Sequence, residues 1–97
     1  AGDVYVGEWQ SHRSHGYGAM LYKNDEVYFG TWQAGRPAGF GYYACPDGTE
    51  YYGEWAAGRM QGKGTLWFSN RTSVVGKFNG HFVDNSLTME GQFYRET

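Results

Sequence analysis

The sequence predicts an all-β protein, an elongated and twisted single-layer antiparallel β-meander built from 23-residue hairpin repeats. The first observation is a motif of the form aromatic-x-Gly-x-aromatic at residues 5–9, 28–32 and 51–55, with a degenerate copy at 74–78. The starts of these copies are 23 residues apart, and a constant period of this size is typical of repeat architectures. The second observation is strict alternation within each motif, which favours strands over helices. The third is that no segment has helical periodicity, so nothing is available to cover the sheet.

Each repeat is predicted to form one hairpin. In the first, strands at 4–10 and 17–22 flank a polar loop at 11–16, and residues 23–26 turn into the next repeat. The second has strands at 27–33 and 40–45, and the third has strands at 50–56 and 63–68. The Pro46-Asp47-Gly48 turn between them is typical of a tight reversal. The repeats run at about 5–27, 28–50, 51–73 and 74–88 within one domain of residues 1–97, and 79–97 are interpreted as a shortened C-terminal cap.

The aromatic residues are predicted to stack in two rows on one face. Gly7, Gly30, Gly53 and Gly76 lie between aromatic positions, where the missing Cβ leaves room for a ring from the neighbouring strand. One row is formed by Tyr5, Tyr28 and Tyr51, and the other by Trp9, Trp32, Trp55 and Phe78. A single-layer sheet exposes both faces, and the other face, with Phe29, Phe40 and Tyr52, is also partly apolar. Exposed apolar surface of this extent indicates binding.

Composition restricts the class of protein. The 16 glycines and 20% aromatic residues indicate a folded, turn-rich β protein, and a net charge of −2 provides no basic signature for nucleic acid. Cys45 is the only cysteine, which excludes an internal disulfide and fits a reducing, cytoplasmic compartment. We found no Ser/His/Asp set, phosphate loop or dinucleotide fingerprint. His12 and His15 lack the further ligands of a metal site. We therefore expect no enzyme activity, cofactor or metal.

The motifs Tyr51-x-Gly53-Glu54-Trp55 and Gly58-Arg59-x-x-Gly62-Lys63-Gly64 resemble the membrane occupation and recognition nexus (MORN) repeat, as does the His15-Gly16-Tyr17-Gly18 step. The resemblance implies an elongated assembly or tethering module associated with cytoskeleton or membranes. Such modules bind an extended or helical partner segment along an aromatic groove, and some form homodimers. The end of the chain, with Gly76-x-Phe78 and Gly91-x-Phe93, resembles the last repeat of alsin-type Rab exchange factors.

These observations lead to three functional hypotheses. The first is a non-enzymatic protein-interaction scaffold, with Glu8 and Glu54 contacting charged groups of the partner. Its groove is formed by Tyr5, Trp9, Tyr28, Trp32, Tyr51, Trp55 and Phe78. The second is anionic phospholipid binding through Arg13, Arg36 and Arg59. These residues occupy the same position of successive repeats, in the hairpin loops along one edge of the sheet, and the opposite edge is mostly acidic. The third is a regulatory appendage of a larger enzyme, such as a Rab exchange factor or a lipid kinase.

Overall fold

The polypeptide forms one open antiparallel sheet of eight strands in sequence order. The computed structural model describes residues 2–69 and 74–95. The strands are β1 (Val4–Gln10), β2 (Arg13–Leu21), β3 (Val27–Gln33), β4 (Arg36–Ala44), β5 (Glu50–Ala56), β6 (Arg59–Ser69), β7 (Val74–Val83) and β8 (Ser86–Arg95). With extents of 46 × 28 × 16 Å, the molecule is the elongated single-layer meander that the sequence predicts.

The connections within the hairpins are shorter than predicted. The sequence assigned loops to 11–16, 34–39 and 57–62, but the structure turns at residues 11–12, 34–35 and 57–58 alone. Both residues of each turn have positive φ, for example 50° at Ala34 and 85° at Gly35. This is the primed turn geometry that matches strand twist in two-residue hairpins. The prediction failed because alanine is an unusual first residue for such a turn, and the polar residues that follow it looked like loop.

One face of the sheet, which we call the inner face, carries a continuous aromatic ladder. Rings meet edge-to-face at centroid separations of 4.8 to 5.5 Å. The order along the sheet is Trp9, Tyr5, Trp32, Tyr28, Trp55, Tyr51, Phe82 and Phe78. Edge-to-face contact is favoured by ring quadrupoles and adds about 0.5–1.5 kcal/mol per pair to burial. The ladder therefore replaces a two-layer core.

The fourth repeat is out of phase with the predicted copy at 74–78. Gly80 pairs with Gly64, just as Gly53 pairs with Gly41 and Gly30 with Gly18. Phe78 therefore takes the position of Tyr51, and Phe82 takes that of Trp55. In agreement, the Asn85 N–H donates to the Met60 carbonyl at 3.0 Å, as Gly58 does to Pro37 at 2.9 Å. Phe78 was thus placed in the wrong row, and Gly76 does not occupy the central glycine position.

The phase slips because four additional residues separate the equivalent ladder positions of the third and fourth hairpins. Tyr43 of β4 pairs with Tyr51 of β5. The equivalent residue of β6, Leu66, pairs with Phe78 of β7, which lies four residues later than the 23-residue period predicts. The additional residues lengthen β6 to 11 residues, compared with 9 in β4. The sequence predicts the turn at residues 69–72; Ser69 is the last residue of β6, and residues 70–72 lie outside the described residues. A fixed sequence period does not reveal an insertion when the inserted residues become part of the two strands and lengthen their pairing.

Candidate functional site

The predicted groove residues occupy the inner face, and most of them form the core. Each of the five residues Tyr28, Trp32, Tyr51, Trp55 and Phe78 has at most 8% of its surface exposed. Phe82 belongs to the same core, although the sequence analysis missed it. These side chains have almost no surface to offer a partner. Of the predicted groove, only the half-buried Tyr5 and the exposed Trp9 are accessible.

Trp9 is 60% exposed because it lies on the edge strand β1. Trp32 packs against Tyr5 of the previous hairpin and donates its indole N–H to the Gly18 carbonyl at 2.9 Å. Trp55 repeats this arrangement with Tyr28 and with the Gly41 carbonyl at 3.1 Å. Within the described sheet no strand lies beyond β1, so Trp9 has a ring contact with Tyr5 alone.

Glu8 and Glu54, predicted as partner contacts, bind the backbone of their own hairpins. The Glu54 carboxylate accepts the Lys63 N–H at 2.9 Å, and the Glu8 carboxylate accepts the Tyr17 N–H at 3.3 Å. Both lie at the register shift that follows the central glycine of their strand. Thr31 takes the same position in the second hairpin and donates to the Phe40 carbonyl at 3.2 Å. These side chains stabilise the bulge, and their contact with a partner stays a prediction.

The opposite face, which we call the outer face, exposes an apolar surface across β1–β5. Val6 pairs with Ala19, Ala19 with Phe29, Phe29 with Tyr42 and Tyr42 with Tyr52, so the side chains form one row across five strands. We define the outer band as the following residues, each 48–71% exposed: Val4, Val6, Tyr17, Leu21, Phe29, Phe40 and Tyr52. Further along the same row, Thr65 donates to Asn79 at 2.8 Å, and the surface becomes polar. The band therefore ends at β6.

Comparison with known protein families identifies the repeat. The MORN repeat model matches residues 5–27, 28–50 and 51–73, which are the three segments that the hairpin phase marks out. The chain belongs to the MORN repeat family. MORN repeats are in general modules for interaction with proteins or membranes and are not enzymes. A search of curated proteins found no significant match to the chain.

The arginines predicted to bind anions occupy equivalent positions in the three matched MORN repeats. Arg13, Arg36 and Arg59 are the first residues of β2, β4 and β6, directly after the two-residue turns, and all three are exposed. Arg59 forms an exposed ion pair of 3.5 Å with Asp84 of the following hairpin. Because equivalent strands are two apart, these residues are spaced by about 10 Å along one edge.

The chemical groups of the MORN array were also compared with those of catalytic and metal sites. Among residues 2–69 and 74–95, no group of three or more His, Cys, Asp or Glu side chains could hold a metal ion. The same residues contain no helix that is long and apolar enough to cross a bilayer. Burial raises the pKa of the Cys45 thiol, which keeps it protonated and poorly nucleophilic. Burial also raises the pKa of Tyr51 to about 12.

Proposed function

We propose that this MORN array is a non-enzymatic protein-interaction module that binds a partner polypeptide on its outer band. The observation that carries the proposal is the row of apolar side chains, adjacent in register, across β1–β5, in which Val6, Phe29 and Tyr52 are exposed. Contiguous apolar surface of this kind marks interaction sites, and tyrosine is among the residues enriched at binding hot spots. The outer band replaces the aromatic groove as the proposed partner-binding surface, because most groove residues are buried.

The register supports an extended partner segment. Phe29 and Tyr52 lie on one row and Phe40 on the next, so apolar side chains at regular steps along a partner would meet one ring per strand. Adjacent strands are separated by about 4.8 Å, and side chains on one face of an extended peptide repeat every ~6.8 Å. A peptide that crosses the strands obliquely matches the two spacings.

The experiment is a peptide-library selection on the purified chain, followed by measurement of binding constants for the selected peptides. The test variant is the triple Phe29→Ser, Phe40→Ser and Tyr52→Ser. The control variant is Val83→Ser with Tyr94→Ser, two residues that are about half exposed outside the band. We expect the band variant to lose at least ten-fold in affinity and the control to keep wild-type binding. If circular dichroism shows that both variants are folded and the selected peptides bind them with equal affinity, the proposal is wrong.

A second candidate function is anionic phospholipid binding through Arg13, Arg36 and Arg59. It is supported by the alignment of these exposed residues on one edge of the sheet. Each arginine near an anionic surface contributes about 1 kcal/mol, so three give only weak attachment. The test is sedimentation with phosphatidylserine-containing vesicles, comparing the wild type with the triple Arg→Gln variant. Binding that persists in the variant, or in salt well above 0.15 M, would contradict this candidate.

A further inference from the structure

A cavity on the inner face has aromatic walls and one carboxylate. It has a volume of about 290 Å³ and lies against the second and third hairpins, on the face opposite to the outer band. Its aromatic lining consists of Tyr22, Tyr28, Tyr43 and Trp55, and Glu26 is the only ionisable acid or base of the lining apart from the tyrosines. The volume suits one large side chain rather than a drug-sized ligand.

The rings are arranged around Trp55. Tyr43 meets Trp55 at a centroid separation of 5.7 Å and Tyr28 meets it at 5.1 Å, both edge-to-face. Trp55 and Tyr28 are almost completely buried, so the half-buried Tyr22 and Tyr43 provide most of the ring surface that a ligand could contact. The indole N–H bonds the Gly41 carbonyl at 3.1 Å, so the ring orientation is held in advance of any ligand.

The Glu26 carboxylate forms no ion pair with another described residue. The Tyr43 hydroxyl lies close to both the Cys45 thiol and the Glu26 carboxylate. Among residues 2–69 and 74–95 the ion pair that the structure contains joins Arg59 to Asp84, and Glu26 takes no part in it. A carboxylate has about four acceptor positions, so even with the Tyr43 hydroxyl beside it Glu26 has capacity for a ligand.

The next junction along the array shows that folding does not require this combination. One repeat later, the positions of Tyr22, Glu26 and Tyr43 are occupied by Cys45, Thr49 and Leu66. The ring ladder continues there, with Tyr51 and Phe82 in the places of Tyr28 and Trp55, although β6 and β7 extend their pairing and have a register shift between Phe68 and Ser69. The ring ladder therefore also forms at a junction that lacks these three residues, which leaves them available for a role other than ladder packing.

From this geometry we infer that the cavity is a binding site for an arginine side chain of a partner polypeptide. A guanidinium group stacks on aromatic faces by cation–π attraction and forms directed hydrogen bonds to a carboxylate, so it uses both features of the lining. A quaternary ammonium would use the rings but has no N–H for Glu26. Next to the cavity is a depression lined by Glu26, Cys45, Pro46 and Asp47, which adds a second carboxylate and suits a basic segment.

The site is tested by NMR with ¹⁵N-labelled protein and three capped tripeptides, Gly-Arg-Gly and its citrulline and trimethyl-lysine analogues. The indole N–H signal of Trp55, assigned with Trp55→Phe, reports on the cavity, and that of Trp9 reports on a distant edge. We expect the arginine peptide to shift the Trp55 signal, with the citrulline peptide at least five-fold weaker. The test does not depend on the outer band, because a peptide bound there leaves Trp55 unchanged.

The decisive variant is Glu26→Gln, which keeps an acceptor for Tyr43 while removing the charge. The matched control is Glu50→Gln, at the same end of the sheet but paired with Trp67 on the outer face. We expect Glu26→Gln to weaken the arginine peptide at least five-fold and Glu50→Gln to leave it unchanged. Equal binding to Glu26→Gln and wild type overturns the inference. So does an unmoved Trp55 signal, or a trimethyl-lysine peptide that binds more tightly than the arginine peptide.

Discussion

The ring of Tyr51 lies flat on Gly64 of the neighbouring strand, so that a Cβ at position 64 would be 2.5 Å from two carbons of the ring. Real Cβ atoms essentially never approach another atom so closely. Tyr5 covers Gly18 and Tyr28 covers Gly41 in the same way. At these positions glycine is required for space. The Tyr51 hydroxyl also donates to the Glu54 carbonyl of its own strand at 2.9 Å, which holds the ring over Gly64.

The first prediction concerns Gly64→Ala. The methyl group would force the Tyr51 ring out of the ladder, and we expect a loss of about 3 kcal/mol in the free energy of unfolding, as for other overpacked cores. Urea denaturation followed by circular dichroism measures the change. The control is Gly2→Ala, where a Cβ would meet nothing within 4 Å. A variant at Gly64 as stable as the control would show that the ring can move aside.

The second prediction tests the phase of the fourth hairpin. Phe82 is buried and contacts Tyr51 at 4.9 Å, so Phe82→Ala is expected to cost about 3–5 kcal/mol in unfolding free energy. Val83→Ala, at the half-exposed neighbouring position, is expected to change stability by less than about 0.5 kcal/mol. Unfolding titrations of both variants give the comparison. If the sequence phase were right, with Phe78 in the tryptophan row, Phe82→Ala would be nearly neutral.

The third prediction is a loss of stability at high pH. Burial raises the pKa of Tyr51 to about 12, and it also raises the pKa values of Tyr28 and Tyr43. Above pH 10 the unfolded chain loses these phenolic protons while the folded chain retains them, so the unfolded state is favoured. The stabilisation is complete below pH 10 and declines towards pH 12. Urea midpoints between pH 9 and 12 measure the decline, which Tyr51→Phe should make shallower.

The fourth prediction separates a structural role of Glu54 from a role in partner binding. Its carboxylate accepts the Lys63 N–H at the bulge, so Glu54→Ala is expected to cost about 1 kcal/mol in unfolding free energy. Glu54→Gln keeps an acceptor oxygen and should recover most of this loss. The midpoints of thermal unfolding distinguish the three proteins. An unchanged midpoint in Glu54→Ala, combined with weaker partner binding, would support the original interpretation of this residue.

Much of the inner face was predictable because its cause is local. A ring two residues from a glycine on a strand points to the same face, so alternation within one motif already places the rings and the glycines on a common face. The sequence therefore identified Tyr28 and Tyr51 as stacked residues without any knowledge of the register. It did not reveal that both would be buried, because burial depends on rings from neighbouring hairpins, such as Trp55 on Tyr28 at 5.1 Å.

The cavity around Trp55 was not predictable for a related reason. Tyr22, Glu26 and Tyr43 are far apart in the motif and belong to no repeated pattern. They meet because β3 joins β2 to β4 in the sheet and because the inner face brings the turn at residue 26 towards Tyr43. The signal that could have identified them is the change to Cys45, Thr49 and Leu66 one repeat later, which marks the earlier junction as different.

By itself the sequence determined the period, the hairpins, the order of strands and the residues that stack, because each depends on alternation and glycine placement within one repeat. The tertiary structure alone decided which face is closed and which is open. Alternation divides a strand into two faces of comparable apolarity, and only the interlocking of rings between hairpins buries one of them. The same contacts decided the phase of the fourth hairpin, because the rings that join the aromatic ladder are those of Phe78 and Phe82 and not those of the copy that the period predicts at 74–78.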